Sequence, residues 1–234
     1  MKWLVFSDSH LGSAVSKRVK DLENLIKAKI ECIDTIVIVG DFLDLWRRSF
    51  ESTYRNKENK CLIDFLLRTV PLSGKKVIYI FGNHEDECVE FLNGEFNLVD
   101  FYWNYDFEGI KIIHGHQFDK SYIESRSRLK ITSRIFQFFE SILGINIRRF
   151  GLMLDDLLGF GIYDEFVEDI HNGVTDQYAE DYKAIIIGHT HSDKQKITTK
   201  DNFTLYDCGN TYRELDYFIF DNDKLLEMNG VNNV

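Results

Sequence analysis

The sequence predicts a layered α/β fold with a helical insertion, on three observations. Five short apolar, β-branched runs recur at residues 3–6, 35–39, 76–81, 110–113 and 184–187, each bounded by glycine or polar residues. Helix-like segments separate several of them, and roughly 65 residues rich in helix formers divide the fourth run from the fifth. With 234 residues, 44% hydrophobic and 28% charged, the chain can bury one sizeable core and has no disordered or collagenous signature. A single domain over residues 1–234 is expected.

Taken in order, residues 3–6 form the first strand, too short an apolar run for a signal peptide. A helix follows over about 16–30, where Val19, Leu22, Leu25 and Ile26 recur at helical spacing. After the strand at 35–39 a second helix is expected over about 59–70, then strands at 76–81 and 110–113. The stretch beyond His114 is too long for a simple connection and predicts a helical cap over about 120–180. From 196 to 228 successive strands, with turns near Asp201–Asn202 and Asp221–Asp223, predict a second sheet.

Charge and cysteine usage narrow the setting. Lys plus Arg number 28 against 38 Asp plus Glu, a formal balance of −10 that disfavours nucleic acid and anionic membrane as general partners. Residues 117–151 run against this balance, with Lys120, Arg126, Arg128, Lys130, Arg134, Arg148 and Arg149 opposed by only three acids. Cys32, Cys61, Cys88 and Cys208 are far apart and lack zinc-finger spacing, which reads as reduced thiols in a cytoplasmic protein. No run approaches the ~18 residues of a membrane span.

The chemistry sits where the core strands end. The first run leads into Asp8 and His10, the second into Gly40-Asp41-Phe42-Leu43-Asp44, and the third into Gly82-Asn83-His84-Glu85. The fourth leads into His114-Gly115-His116 and the fifth into Gly188-His189-Thr190-His191, so six of the seven histidines belong to this set. Ligands of α/β proteins collect at the carboxyl ends of strands, so five such ends are expected around one crevice. Residues two apart in an extended strand end project to the same side, which pairs Asp8 with His10 and His189 with His191. Carboxylate, imidazole and amide oxygen together suit Mn²⁺, Fe or Zn²⁺, and the donors suffice for two divalent ions. A single D-x-H or H-x-H is a weak signal; the ordered set of five is a strong one.

That order, D-x-H, G-D-x-x-D, G-N-H-E, H-G-H and G-H-T-H, resembles the calcineurin-like metallophosphoesterase superfamily and spans Asp8 to His191. The resemblance implies two β-sheets sandwiched between helices in four layers, around a binuclear centre that hydrolyses phosphate esters. By it, Asp8, His10, Asp41 and His191 hold one ion, and Asp41, Asn83, His114 and His189 hold the other, with Asp41 bridging. Two ions ~3.5–4 Å apart can share a hydroxide that attacks phosphorus. His84 is then no ligand but a catalytic donor to a phosphoryl or leaving oxygen, oriented by Asp44. Mn²⁺ is the first expectation for the metal, with Fe or Zn²⁺ as alternatives.

In the Ser/Thr phosphatases of the superfamily an Arg-Gly pair follows the second aspartate, whereas Leu45-Trp46 follows Asp44 here. The G-D-F-L-D-L-W stretch, the size and the helical insertion look more like the UDP-2,3-diacylglucosamine hydrolase-like members, which cleave a pyrophosphate bond in a lipid precursor. His116 and the His84-Glu85 pair depart from their H-G-D and G-N-R-D motifs. The expected substrate is therefore a small phosphorylated molecule, amphipathic in this reading, with peripheral contact at the inner membrane as a corollary and the oligomeric state left open. Apolar residues between 122 and 163, among them Ile131, Ile135, Phe136, Phe138, Phe139, Ile142, Leu143, Leu152, Leu154, Leu157, Leu158 and Phe160, are expected to meet its apolar part. Arg126, Arg128, Lys130 and Arg134 are expected to meet its phosphates. A nuclease of the same superfamily and a non-catalytic scaffold are the alternatives.

Overall fold

The computed structural model describes residues 1–14, 16–143, 153, 155, 157–158, 161–192 and 197–229. In chain order it contains β1 (Lys2–Phe6), α1 (Val19–Lys29), β2 (Thr35–Val39), α2 (Phe50–Arg55), α3 (Lys57–Asp64), α4 (Val70–Leu72), β3 (Lys76–Ile80) and α5 (Val89–Glu95). There follow β4 (Asp100–Tyr102), β5 (Asn104–Phe107), β6 (Ile110–Ile113), α6 (Lys120–Leu143), α7 (Ile162–Tyr178), β7 (Ala184–Ile187), β8 (Ile197–Lys200), β9 (Phe203–Asp207), β10 (Tyr217–Asp221) and β11 (Lys224–Asn229). All five expected core strands are present. The second expected helix is part of a longer helical run, in which α3 passes through a π turn at Phe65–Thr69 into α4.

The strands make two sheets, ordered β11-β10-β1-β2-β3-β4 and β5-β6-β7-β9-β8. β1 to β4 pair in parallel, as do β6 with β7 and β7 with β9, while the remaining pairs are antiparallel. The C-terminal strands expected to make a sheet of their own are instead shared out. β8 and β9 extend the second sheet, and β10 and β11 close the first beside β1.

Alternation explains the layers. Trp3, Val5, Val37, Val39, Ile78 and Ile80 face Ile110, Ile112 and Ile186 between the sheets. Their neighbours Leu4, Phe6, Ile36, Ile38 and Tyr79 face outward onto Leu22 and Ile26 of α1 and Leu62 and Ile63 of α3. On the other side Ile113, Ile185 and Ile187 meet Ile170 and Val174 of α7. The order is thus helices, sheet, sheet, helix, and strands buried on both faces read as unbroken apolar runs. Among the described residues no helix is long and apolar enough to cross a membrane.

The insertion begins as helix. α6 has 24 residues with a break in helical geometry at Ser125, and α7 has 17. α6 presents a polar face to the core: Gln137 and Glu140 are buried, while Ile131, Ile135, Phe136, Phe138, Phe139 and Ile142 are exposed. Leu157 and Leu158 are exposed as well; Leu152, Leu154, Phe160 and the Leu143 side chain lie outside the described residues.

Candidate metal centre

Five loops leave the ends of β1, β2, β3, β6 and β7 and meet at one edge of the two sheets. They are stitched by backbone bonds: Asp8 N–H to the Gly40 carbonyl (3.1 Å), His10 N–H to that of Asp41 (2.9 Å), and Gly188 N–H to that of His114 (3.1 Å). Two glycines permit this approach. A Cβ on Gly40, itself at φ +78°, would lie 2.3 Å from His114 Cδ2, and one on Gly82 would lie 2.1 Å from Asp41 Oδ1. Asp8 (φ 50°), His10 (46°), Asp41 (49°), His189 (69°) and His191 (53°) all occupy the left-handed region. Each costs about 1 kcal/mol or more, so the surrounding structure holds five side chains in place against local preference.

Two groups of ligand-type atoms result, Asp8, His10, Asp41 and His191 in one and Asp41, His114 and His189 in the other, each with its atoms within 4.8 Å of one another. Asp41 belongs to both. In the first, His191 Nε2 is 2.7 Å and His10 Nε2 3.5 Å from Asp8 Oδ1, and the two Nε2 atoms are 3.0 Å apart. His114 Nε2 lies 3.6 Å from Asp8 Oδ1 and 3.7 Å from Asp41 Oδ2. A third group, His10, Asp44 and His84, shares the His10 ring.

These side chains fit divalent ions on their own unsatisfied chemistry. Asn83 Oδ1 and His114 Nε2 are buried polar atoms without a hydrogen-bond partner. Buried polar groups are rarely left so, and both belong to the predicted ligand set. Burial pushes the His114 imidazole down to about 4 despite the nearby Asp8 carboxylate, so its ring is neutral and offers a lone pair. Burial, then Glu85 and Asp8, hold the Asp41 carboxyl well above the usual range, with His84 only partly offsetting them. A cation against Asp41 would relieve that penalty.

His84 stands beside this set. Its Nδ1 is 2.7 Å from Asp44 Oδ1, its Nε2 is 3.7 Å from Asp41 Oδ2, and its backbone N–H donates to Asp41 Oδ1 at 3.0 Å. The Trp46 indole stacks on the ring at 4.5 Å, tilted by 22°. Burial alone would lower the imidazole, but Asp41 and Asp44 override it and push it up to about 9. Burial likewise opposes ionisation of Asp44, but the His84 charge and hydrogen bond, with Arg47, hold its carboxyl down at about 2. At neutral pH this is a buried imidazolium–carboxylate pair.

Several supporting residues have roles that the sequence motifs do not assign. The buried Glu85 carboxylate accepts from Asp41 N (3.0 Å), Gly82 N (2.9 Å), Leu43 N (2.9 Å) and the Tyr79 hydroxyl (2.7 Å), tying two loops together. Glu85→Ala would leave those four donors unmet and is expected to cost at least about 3 kcal/mol, read as a fall in the denaturant midpoint. Glu85→Gln, which keeps acceptor oxygen, should cost less.

Arg47 reaches Asp44 Oδ2 (3.3 Å), Ser13 (3.1 Å), Ser133 (2.8 Å) and Glu140 (3.0 Å), joining the core to α6. The basic residues of α6 differ from expectation. Arg126 pairs with Asp86 at 2.6 Å, Lys130 pairs with Glu87, and Arg134 donates to the Trp46 carbonyl at 3.0 Å. They dock the cap on acidic and carbonyl groups of the core, and only Arg128 of the four lacks such a bond among the described residues. Arg148 and Arg149 lie outside those residues.

A two-sheet α/β sandwich with carboxylates, histidines and an asparagine gathered at its strand ends defines a metal-dependent phosphoester hydrolase. The family model for calcineurin-like phosphoesterases matches residues 1–193, and the chain belongs to that family. No curated protein matches the chain significantly. Among solved structures, an archaeal phosphodiesterase is 14% identical over 97% of this chain and 100% of its own, with a TM-score of 0.47. A dimetal phosphatase from Danio rerio is 11% identical over 99% and 96%, with a TM-score of 0.49. A nuclease from Pseudomonas putida is 21% identical over 48% and 53%, with a TM-score of 0.35.

Proposed function

We propose that the enzyme uses two divalent ions to hydrolyse a phosphoester or pyrophosphate bond in a small phosphorylated substrate whose remaining part is apolar. The observation that carries the two-ion reading is the sharing of Asp41 between two ligand groups. Asp8, His10, Asp41 and His191 would hold one ion, and Asp41, Asn83, His114 and His189 the other, with Mn²⁺ first among the metals and Fe or Zn²⁺ as alternatives. When bound, the ions supply a nucleophile from water at neutral pH and positive charge for the phosphoryl oxygens.

The chain's own residues do the rest. Asp41 sets the separation of the two sites, and Glu85, bonded to the Asp41 backbone, fixes where Asp41 stands. Asp44 accepts the hydrogen bond of His84 Nδ1–H, so Nε2–H is left to donate to a phosphoryl oxygen or to protonate the leaving oxygen. Trp46 holds the imidazole plane.

The apolar part of the substrate is argued from the cap. Eleven of the eighteen exposed large hydrophobic residues described lie between Ile123 and Ile162, an apolar concentration that calls for a covering ligand. The test begins with chelator-stripped protein, reloaded with Mn²⁺ and offered a phosphomonoester, a phosphodiester, an acylated nucleotide-diphosphate sugar and single-stranded DNA. Turnover should need the metal and favour the acylated substrate; full turnover in excess chelator, or preference for DNA, would reject the reading. Phe138 and Phe139 are 61% and 46% exposed, so changing both to Ser costs little stability. The double variant should raise KM about tenfold for the acylated substrate, the loss of one or two apolar contacts, and leave a small nitrophenyl ester unchanged. Equal responses would make the apolar face structural.

A further inference from the structure

We infer that Asp119 is a positioning residue for His189 and couples the second metal site to the first turn of the cap; the inference rests on the two-ion reading above. Asp119 is buried and closes the 3₁₀ turn His116–Phe118 immediately before α6. Its two oxygens do different work. Oδ2 lies 3.1 Å from His189 Nε2, and Oδ1 accepts the Tyr122 N–H at 3.1 Å, while its backbone carbonyl accepts the Ile123 N–H at 3.0 Å. The second pair of bonds caps α6 in the manner of an N-terminal aspartate.

The first bond decides a tautomer. An ionised carboxylate only accepts, so the imidazole must carry its proton on Nε2, which leaves the lone pair on Nδ1. His189 is one of the three residues, with Asp41 and His114, whose ligand atoms lie within 4.8 Å of one another. Outer partners of metal-bound histidines fix ring orientation and tautomer in this way, and losing one typically costs about 10–100-fold in metal affinity. One carboxylate serves both the ring and the helix start, so ion binding at this site and order in the first turn of α6 are linked reciprocally.

Three variants of the full chain separate the two jobs. Asp119→Ser keeps a capping oxygen but is too short to reach His189. Asp119→Asn also keeps that oxygen and turns an amide N–H toward His189 Nε2, which favours the wrong tautomer. Asp119→Ala loses both. Calorimetric titration of the metal-free protein with Mn²⁺ should show two binding steps in the wild type, with amide exchange at Tyr122 and Ile123 slowing as the second site fills. In the Ser and Asn variants one step should weaken about 10–100-fold and the other stay within about twofold, with the metal-dependent slowing lost. The Ala variant should add fast exchange at those amides even without metal. Wild-type affinities at both steps in the Ser and Asn variants, or equal weakening of both steps, would overturn the inference. A wild-type chain that binds fewer than two ions would instead reject the two-ion reading.

Discussion

Asp41→Asn should empty both metal sites and lower turnover by at least roughly 10³-fold, beyond the usual loss of a single charge-stabilising donor. Asp41 belongs to both ligand groups, and a neutral amide is a poor bridge between two dications. The backbone is not expected to object, because Asp41 sits at φ 49° and asparagine tolerates the left-handed region at least as well as aspartate. Electrostatics predicts a further, opposite effect on the metal-free fold. The Asp41 carboxyl is held well above its ordinary range by burial and by Glu85 and Asp8, so its ionised form destabilises the empty site. A carboxyl raised on folding contributes stability below its unfolded value and loses that contribution as pH rises through its folded value. At neutral pH the metal-free variant should therefore melt no lower than metal-free wild type, while the rise in Tm on adding Mn²⁺ should vanish. A variant that keeps that rise in Tm, or keeps turnover, would remove Asp41 from the shared position.

Which features were legible in the sequence follows from which were locally determined. β2 lies between α1 and α3 on one side and the second sheet on the other, so all five residues of Thr35–Val39 are apolar or β-branched and the strand announces itself. β4 and β5 are short and partly exposed, and Asp100–Tyr102 and Asn104–Phe107 mix polar with aromatic residues, so neither shows a clear period. The facing of α6 was not legible for another reason. Its apolar residues suit a ligand or a packed neighbour equally, and it is the bonds of Gln137 to the Ala14 N–H and of Glu140 to Arg47 that turn the polar face inward. The clustering of Asp8, His10, Asp41, His114, His189 and His191 was legible because each follows the apolar run that delivers it. Their supports were not, since Asp119 and His189 are 70 positions apart and Arg47 and Glu140 are 93 apart. No local pattern marks such pairs.

His84→Ala should keep both ions and lower kcat by about 10²–10⁴-fold, the range for losing a positioned acid or a transition-state donor. The two roles separate by leaving group. As an acid, His84 matters more for an alkyl leaving group than for nitrophenol; as a charge stabiliser it matters equally for both. The pH profile supplies an independent reading. Burial works against protonation, but Asp41 and Asp44 hold the imidazole protonated up to about 9, so the active donor form is present at neutral pH and is lost as pH rises through that value. Cations drawn to Asp41 would weaken its share of this support, which places the alkaline limb of kcat at or below about 9. Asp44→Asn removes the carboxylate 2.7 Å from Nδ1, so the limb should move to lower pH with the ions retained. In His84→Ala the limb should be absent. If the limb survives in that variant, or Asp44→Asn leaves it in place, the proton belongs to another group and His84 is not the donor.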